Sequence, residues 1–359
     1  MLRLALVGCG DHGRRGHLEA YRQLIAAGER LRVVALVDPN PANLTAAAVL
    51  APEARPFADY ATMLAEARPD AVALATPPLF HSKQALAAFA SGAHVLCEKP
   101  LARSLAEARE MVRAAESAGR VLAMGLQLRH QRQVRAIREA IASGALGTVF
   151  YTRVWAGHTW RLPPSPHFLN QELGGGGVVA ATAVHIIDAV LWMLGSPDLR
   201  TVSAFGFAKA PCLNGPPPPF DAWKDGAGIV AGSTVEDFAT ALFRFSDGSA
   251  LSLETTWLAH PGERHGSTRF LATGGVIEMH PLRITHDREG VIEDRTPTDE
   301  MEDPERHYYL DVAREFVAAA RDGIPSIVRP REMLQTQAAI DAIYASIAAG
   351  REVEVTPID

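Results

Sequence analysis

Leu2-Arg3-Leu4-Ala5-Leu6-Val7-Gly8-Cys9-Gly10-Asp11-His12-Gly13 is the stretch that decides the fold. Leu2 to Val7 is short and mostly apolar, as a buried parallel strand should be, and it stops at a G-x-G-x-x-G turn. Arg14 to Ala27 then carries Leu18, Tyr21, Leu24 and Ile25 at helical spacing. Strand, glycine turn and helix in that order are the context a dinucleotide fingerprint requires. Gly8 permits the tight turn, Gly10 lets backbone approach a pyrophosphate, and Gly13 lets helix and strand pack closely. The helix start offers free N–H groups and a positive dipole end to phosphates. A second apolar run, Val33 to Val37, ends at Asp38, placed to accept hydrogen bonds from adenosine ribose hydroxyls. Pro39-Asn40-Pro41 supplies no cation for a 2′-phosphate, which the Asp38 carboxylate would repel, so NAD is favoured over NADP.

The 359 residues, 48% hydrophobic, suffice for two domains. A net charge of −6 gives no pull toward nucleic acid or an anionic membrane. Cys9, Cys97 and Cys212 are too few and too scattered for a disulfide framework or a zinc site, and read as reduced thiols in a cytoplasmic protein. The thirteen histidines show no ligand spacing with acidic partners, so no metal is expected. The N-terminal apolar run is too short for a signal peptide. Val178 to Leu194, interrupted by His185 and Asp188, falls short of the roughly 20 residues of a membrane span and reads as a buried helix.

In the first third, strands and helices alternate. Helices are expected at Pro41 to Leu50, Tyr60 to Ala67, Phe80 to Ser91 and Ser104 to Ala118, the last opened by a Ser104–Glu107 capping box. Strands are expected at Asp70 to Thr76, Ala93 to Cys97 and Val121 to Gly125. This is a doubly wound parallel sheet, with ligands beyond the carboxyl ends of its strands. Gln131 to Ser143 is a connecting helix, after which strand-like alternation takes over at Thr148 to Trp155 and Val235 to Trp257, with a hairpin turn at Ser246 to Ser249. Arg269 to Met279 suggests another hairpin. The second part is therefore an α+β domain with a large, mainly antiparallel open sheet. The boundary is set at 126/127, the last helix being expected to pack back on the first domain. Ala208 to Ser233 is a long loop, read as a lid, an arm to another subunit, or disorder. Glu293 to Glu305 reads as a solvated linker, followed by helices at Arg306 to Arg321 and Pro330 to Ala349.

Two stretches could carry chemistry. Glu98-Lys99-Pro100 follows a strand of the nucleotide domain, where a lysine can hold an alkoxide or pass a proton; read alone, it is equally a surface lysine. Gly174 to Gly177 precedes the helix bearing Ala181, His185, Asp188 and Trp192 along one face. A glycine run there lets other groups approach the backbone, and Asp188 is within reach to orient the His185 ring; a satisfied core histidine is the competing reading.

Together with Trp160-Arg161, these motifs occur in an order that resembles the Gfo/Idh/MocA oxidoreductases, the family of glucose–fructose oxidoreductase and inositol dehydrogenase. The resemblance runs by motif to about residue 195. It implies a Rossmann domain joined to an open-sheet domain, with NAD and a sugar, cyclitol or related polyol as reactants. It also implies a substrate lying between the two domains, with Lys99 and His185 as the catalytic pair. Substrate-side residues would be Lys99, Arg129, Trp160, Arg161, His167, Thr182 and His185. Cofactor contacts would come from Gly8, Gly10, Asp11, His12, Gly13, Asp38, Thr76, Pro77, His81, Glu98 and Lys99. A homo-oligomer, dimer or tetramer, is expected. The family's D-x-G-x-H-x-x-D reads Ala181-Thr182-Ala183-Val184-His185-Ile186-Ile187-Asp188 here, so its first carboxylate is absent. Two alternatives to simple hydride transfer follow. One is an NAD-retaining relative that cleaves glycosides by elimination. The other is a non-catalytic, nucleotide-responsive regulator, which the missing Asp favours.

Overall fold

The computed structural model describes residues 1–159, 166–209, 233–259, 266–297 and 308–358. Two compact units emerge, Met1–His130 with Glu305–Met333, and Gln131–Pro304 with Leu334–Asp359. The late segment that joins the first unit carries the helix Tyr308–Asp322, whereas the last helix, Pro330–Ala349, expected from the sequence to pack on the first domain, belongs from Leu334 onward to the second unit.

In the first unit, β1 (Leu2–Val7), β2 (Leu31–Val37), β3 (Arg55–Phe57), β4 (Ala71–Leu74), β5 (His94–Cys97) and β6 (Leu122–Met124) form one sheet. Their order is β3-β2-β1-β4-β5-β6, and every pairing is parallel. The order reverses direction beside β1, the switch point where open α/β sheets hold ligands. Strand β3 carries Pro56 and lies at the sheet edge, where a residue without an N–H is tolerated; its three residues give no periodic signal. Leu4, Leu6, Leu36 and Leu96 are fully buried on both-face-covered strands. Ser104 caps its helix through the Glu107 N–H, as the capping box requires.

The core is completed from far along the chain. Val312, Ala313, Phe316 and Val317 of the helix Tyr308–Asp322 pack with Leu18, Tyr21 and Leu24. Glu315 on that helix fixes its neighbours: Oε1 accepts from the Ile327 N–H at 2.8 Å and from Ser326, and His130 Nε2 lies 3.1 Å from Oε2. Burial pushes the Glu315 carboxyl up, but these bonds more than offset it and hold it below the usual carboxylate range.

The second unit is built on a sheet ordered β14-β13-β12-β11-β7-β10-β9-β8-β15. Its strands are β7 (Val149–Thr159), β8 (Leu199–Phe207), β9 (Phe238–Phe245), β10 (Ala250–Ala259), β11 (Ser267–Ala272), β12 (Gly275–Glu278), β13 (Arg283–Arg288), β14 (Val291–Asp294) and β15 (Val353–Glu354). Only β10 with β7 is parallel among the described pairings. Alternation buries Val154, Leu251, Leu253, Phe243 and Phe270 on one face. The other face bears polar pairs such as Tyr151 with Ser252 and Trp155 with Glu254. Glu293 and Asp294 belong to β14 and not to a linker, because pairing with β13 satisfies their backbone. The loop from 208 lies mostly outside the described residues, as do 298–305 of the expected linker, the start of the expected helix at Arg306, and Cys212.

By length and composition Gln171–Met193 could cross a membrane, with mean hydropathy 1.6, so it is longer than the sequence reading allowed; 78% of its most apolar window is buried in the protein, as in a core helix.

Replacing Glu315 by Ala should destabilise the first unit by about 2 kcal/mol in denaturant titrations, since buried partners lose their acceptor. Because the folded carboxyl titrates low, the wild-type advantage over the variant is present above the ordinary glutamate pKa. It should disappear as pH falls through the depressed one.

Candidate active site

The glycine turn is shaped by contact. Gly8 has φ +90° and a Cβ there would lie 2.5 Å from the Ala75 carbonyl oxygen, while one at Gly13 would overlap the Gly8 carbonyl. Gly10 differs: a Cβ there would meet no atom within 4 Å. Two glycines thus serve internal packing and the third faces open space, as backbone reserved for a pyrophosphate should. Asp38 is buried; its Oδ2 accepts from Cys9 N and Oδ1 from Asn40 N, both at 2.8 Å. These bonds fix the turn against β2 and leave lone pairs on a carboxylate for ribose hydroxyls. The turn and Asp38 therefore fit a dinucleotide. Cys9 is wholly buried, and burial together with Asp38 pushes its thiol up to about 12, so it is inert.

Glu98 and Lys99 follow β5 in the same unit. His17 Nε2 lies 2.7 Å and His12 Nε2 3.2 Å from Glu98 Oε1, and the Lys99 N–H donates to Oε2 at 3.2 Å. Burial alone would raise the Glu98 carboxyl, but the two imidazoles hold it well below the usual range. Gly125 leaves room for it: a Cβ there would sit 3.0 Å from Glu98 Oε1. Lys99 is partly buried, which pushes its ammonium below the ordinary lysine value, with Glu98 opposing the shift. His81 is fully buried, its ring nitrogens 2.8 Å from the Thr76 carbonyl and 3.0 Å from that of Pro100, so it braces the loops after β4 and β5. Thr76 donates to Gln84, and Pro77 caps the helix Pro78–Ala90. Asp11 is exposed and paired with Arg15 at 2.8 Å. Arg129 is buried, ion-paired with Glu332 and bonded to the Ile327 carbonyl, so its guanidinium ties the first unit together.

In the second unit the glycine run admits protein groups: a side chain at Gly176 would overlap Tyr344, and one at Gly177 the Glu236 backbone. The Glu236 carboxylate accepts from the N–H groups of Gly177 and Val179 at the helix start. Residues Val179–Ala183 take a wider π turn before the α-helix Val184–Met193. From Val179 to Met193 three positions are partly exposed, namely Ala181, Thr182 and His185. Thr182 is held from below: buried Trp257 donates Nε1–H to its Oγ1 at 2.7 Å. Asp188 is buried and accepts from Thr336 at 3.1 Å. His167 stacks on Phe168, ring centroids 4.1 Å apart. Trp160 and Arg161 lie outside the described residues. Sequence reasoning missed His17, Trp257 and Tyr344; the His12/His17 spacing of five and the four-glycine run were the available signals.

A switch-point nucleotide cradle with a partly buried lysine beside it defines a dinucleotide oxidoreductase. Comparison with known proteins agrees: residues 2–126 match the oxidoreductase family with an NAD-binding Rossmann fold, and residues 134–278 the GFO/IDH/MocA C-terminal domain. The chain belongs to the Gfo/Idh/MocA oxidoreductases and binds NAD. D-glucoside 3-dehydrogenase of Escherichia coli (strain K12) is 28% identical over 355 residues, covering 99% of this chain and 97% of the relative. An inositol 2-dehydrogenase of Leifsonia xyli subsp. xyli is 32% identical over 194 residues, 53% of this chain and 54% of the relative. Among solved structures, GenD2 from gentamicin A biosynthesis, in complex with NAD, has a TM-score of 0.79 at 26% identity, covering 99% and 97% of the two chains.

Gly10→Ala should keep the wild-type melting temperature yet weaken NAD binding about tenfold or more, measured by calorimetry, because a methyl enters the pyrophosphate approach. Gly8→Ala should instead destabilise the fold by about 1–3 kcal/mol.

Proposed function

We propose that the protein transfers hydride between NAD and a carbinol carbon of a sugar, cyclitol or related polyol. The observation carrying this reading is Lys99, partly buried and set directly after β5 in the unit that holds the glycine turn. The sugar and polyol dehydrogenases among its relatives support the substrate class. In oxidation His185 takes the hydroxyl proton, and the Lys99 ammonium holds the developing alkoxide. The nicotinamide, when bound, supplies the hydride acceptor. Thr182, braced by Trp257, offers its hydroxyl to the substrate beside His185. His167 contributes on the substrate side, and the open face of the second sheet joins copies of a cytoplasmic homo-oligomer.

Ala181 favours a second reading, a nucleotide-responsive protein without turnover, since the helix brings no carboxylate at that position. A panel of polyols and aldoses with NAD or NADP, followed by nicotinamide absorbance, separates the two; product release without net NADH would point to elimination. Lys99→Ala should abolish NAD reduction while leaving NAD affinity nearly unchanged, and retained turnover would remove Lys99 from its role. Since the ammonium is the working form, wild-type kcat/KM should fall with rising pH at a value below that of ordinary lysine.

A further inference from the structure

We infer that His12, His17 and Glu98 form a binding site for one divalent transition-metal cation of the zinc type. Their ligand atoms all lie within 4.8 Å of one another, with His12 Nε2 and His17 Nε2 at 3.2 and 2.7 Å from Glu98 Oε1. Ligand atoms on a tetrahedral zinc, bonded at about 2.0–2.2 Å, stand roughly 3.3 Å apart, so small rotations of these side chains suffice. Two imidazoles and one carboxylate are the donor set zinc takes when one position stays open.

The local fold brings this set together. His12 and His17 are five residues apart, and Gly13–Leu18 is a π turn, which places residues of that spacing on one face. Glu98 is 4% exposed and His17 1%, so two ligands are held in a dry, packed surrounding. The His12 side chain is 45% exposed and gives an entry path. Glu98 brings the negative charge that a cation near a helix start needs. A second observation points the same way. The Tyr21 hydroxyl, fully buried one turn beyond His17 and within the field of Glu98, has no hydrogen-bond partner among the described residues. A water carried on the cation would provide one. Tyr309, whose hydroxyl lies 3.0 Å from His12 Nε2, covers the same side.

The test uses the full-length protein without NAD or substrate, so its outcome is independent of the catalytic reading. Titration with zinc chloride, followed by calorimetry, should give one cation per chain, and cobalt(II) should give the visible absorption of a four- or five-coordinate site. X-ray absorption of the zinc-loaded protein should show two imidazole nitrogens among nitrogen and oxygen neighbours. His12→Ala, which removes the half-exposed ligand and leaves His17 on Glu98, should weaken zinc at least roughly tenfold in a protein still folded by circular dichroism. Absence of stoichiometric zinc binding at micromolar concentration would overturn the site. So would zinc binding that His12→Ala leaves unaltered, or sulfur neighbours in the absorption spectrum.

Discussion

One buried carboxylate, Glu98, governs the nucleotide unit. It sits past the end of a central strand and is contacted by an imidazole from the glycine turn, another from the first helix, and the backbone of the lysine that follows it. A buried anion without such partners would cost several kcal/mol, so the fold can keep Glu98 charged only with the turn, the helix and the Lys99 loop in register. The same bonds that make the carboxylate tolerable thus set the geometry of the cofactor turn relative to the lysine.

The second unit solves a different problem. Its central helix is almost wholly apolar, yet three consecutive-turn positions reach its surface as a methyl, a hydroxyl and an imidazole. No carboxylate reaches that surface; the helix presents there a neutral threonine steadied by the indole of Trp257. An indole can only donate, so it fixes which lone pair of Thr182 is spent inside and leaves the hydroxyl proton for outward bonding.

Much of this was legible from residues alone. Strands buried on both faces read as plain apolar runs, and Ser104 with Glu107, Gly119 and Asp38 mark element ends through local chemistry. The antiparallel sheet announced itself by alternation and by Gly248 in its hairpin. What stayed hidden was non-local. Strand β3 is too short for a period, and the edge strand β14 looks like a charged linker because an edge strand can carry Glu and Asp. The convergence of His12 and His17 on Glu98 spans some eighty positions and depends on a π turn that no composition signals. Likewise Trp257 and Tyr344 gain their roles only once sheet and helix pack against each other, and Arg129 reads as a ligand-facing cation until its pairing with Glu332 is seen.

The helix Tyr308–Asp322 closes the core of a unit begun at the first residue. During synthesis, then, the amino-terminal half emerges from the ribosome with the apolar flank of Leu18, Tyr21 and Leu24 still bare, and waits for nearly the whole remaining polypeptide before Phe316 and Val317 can cover it. A product truncated ahead of that helix would leave this apolar flank exposed and prone to stick to other chains.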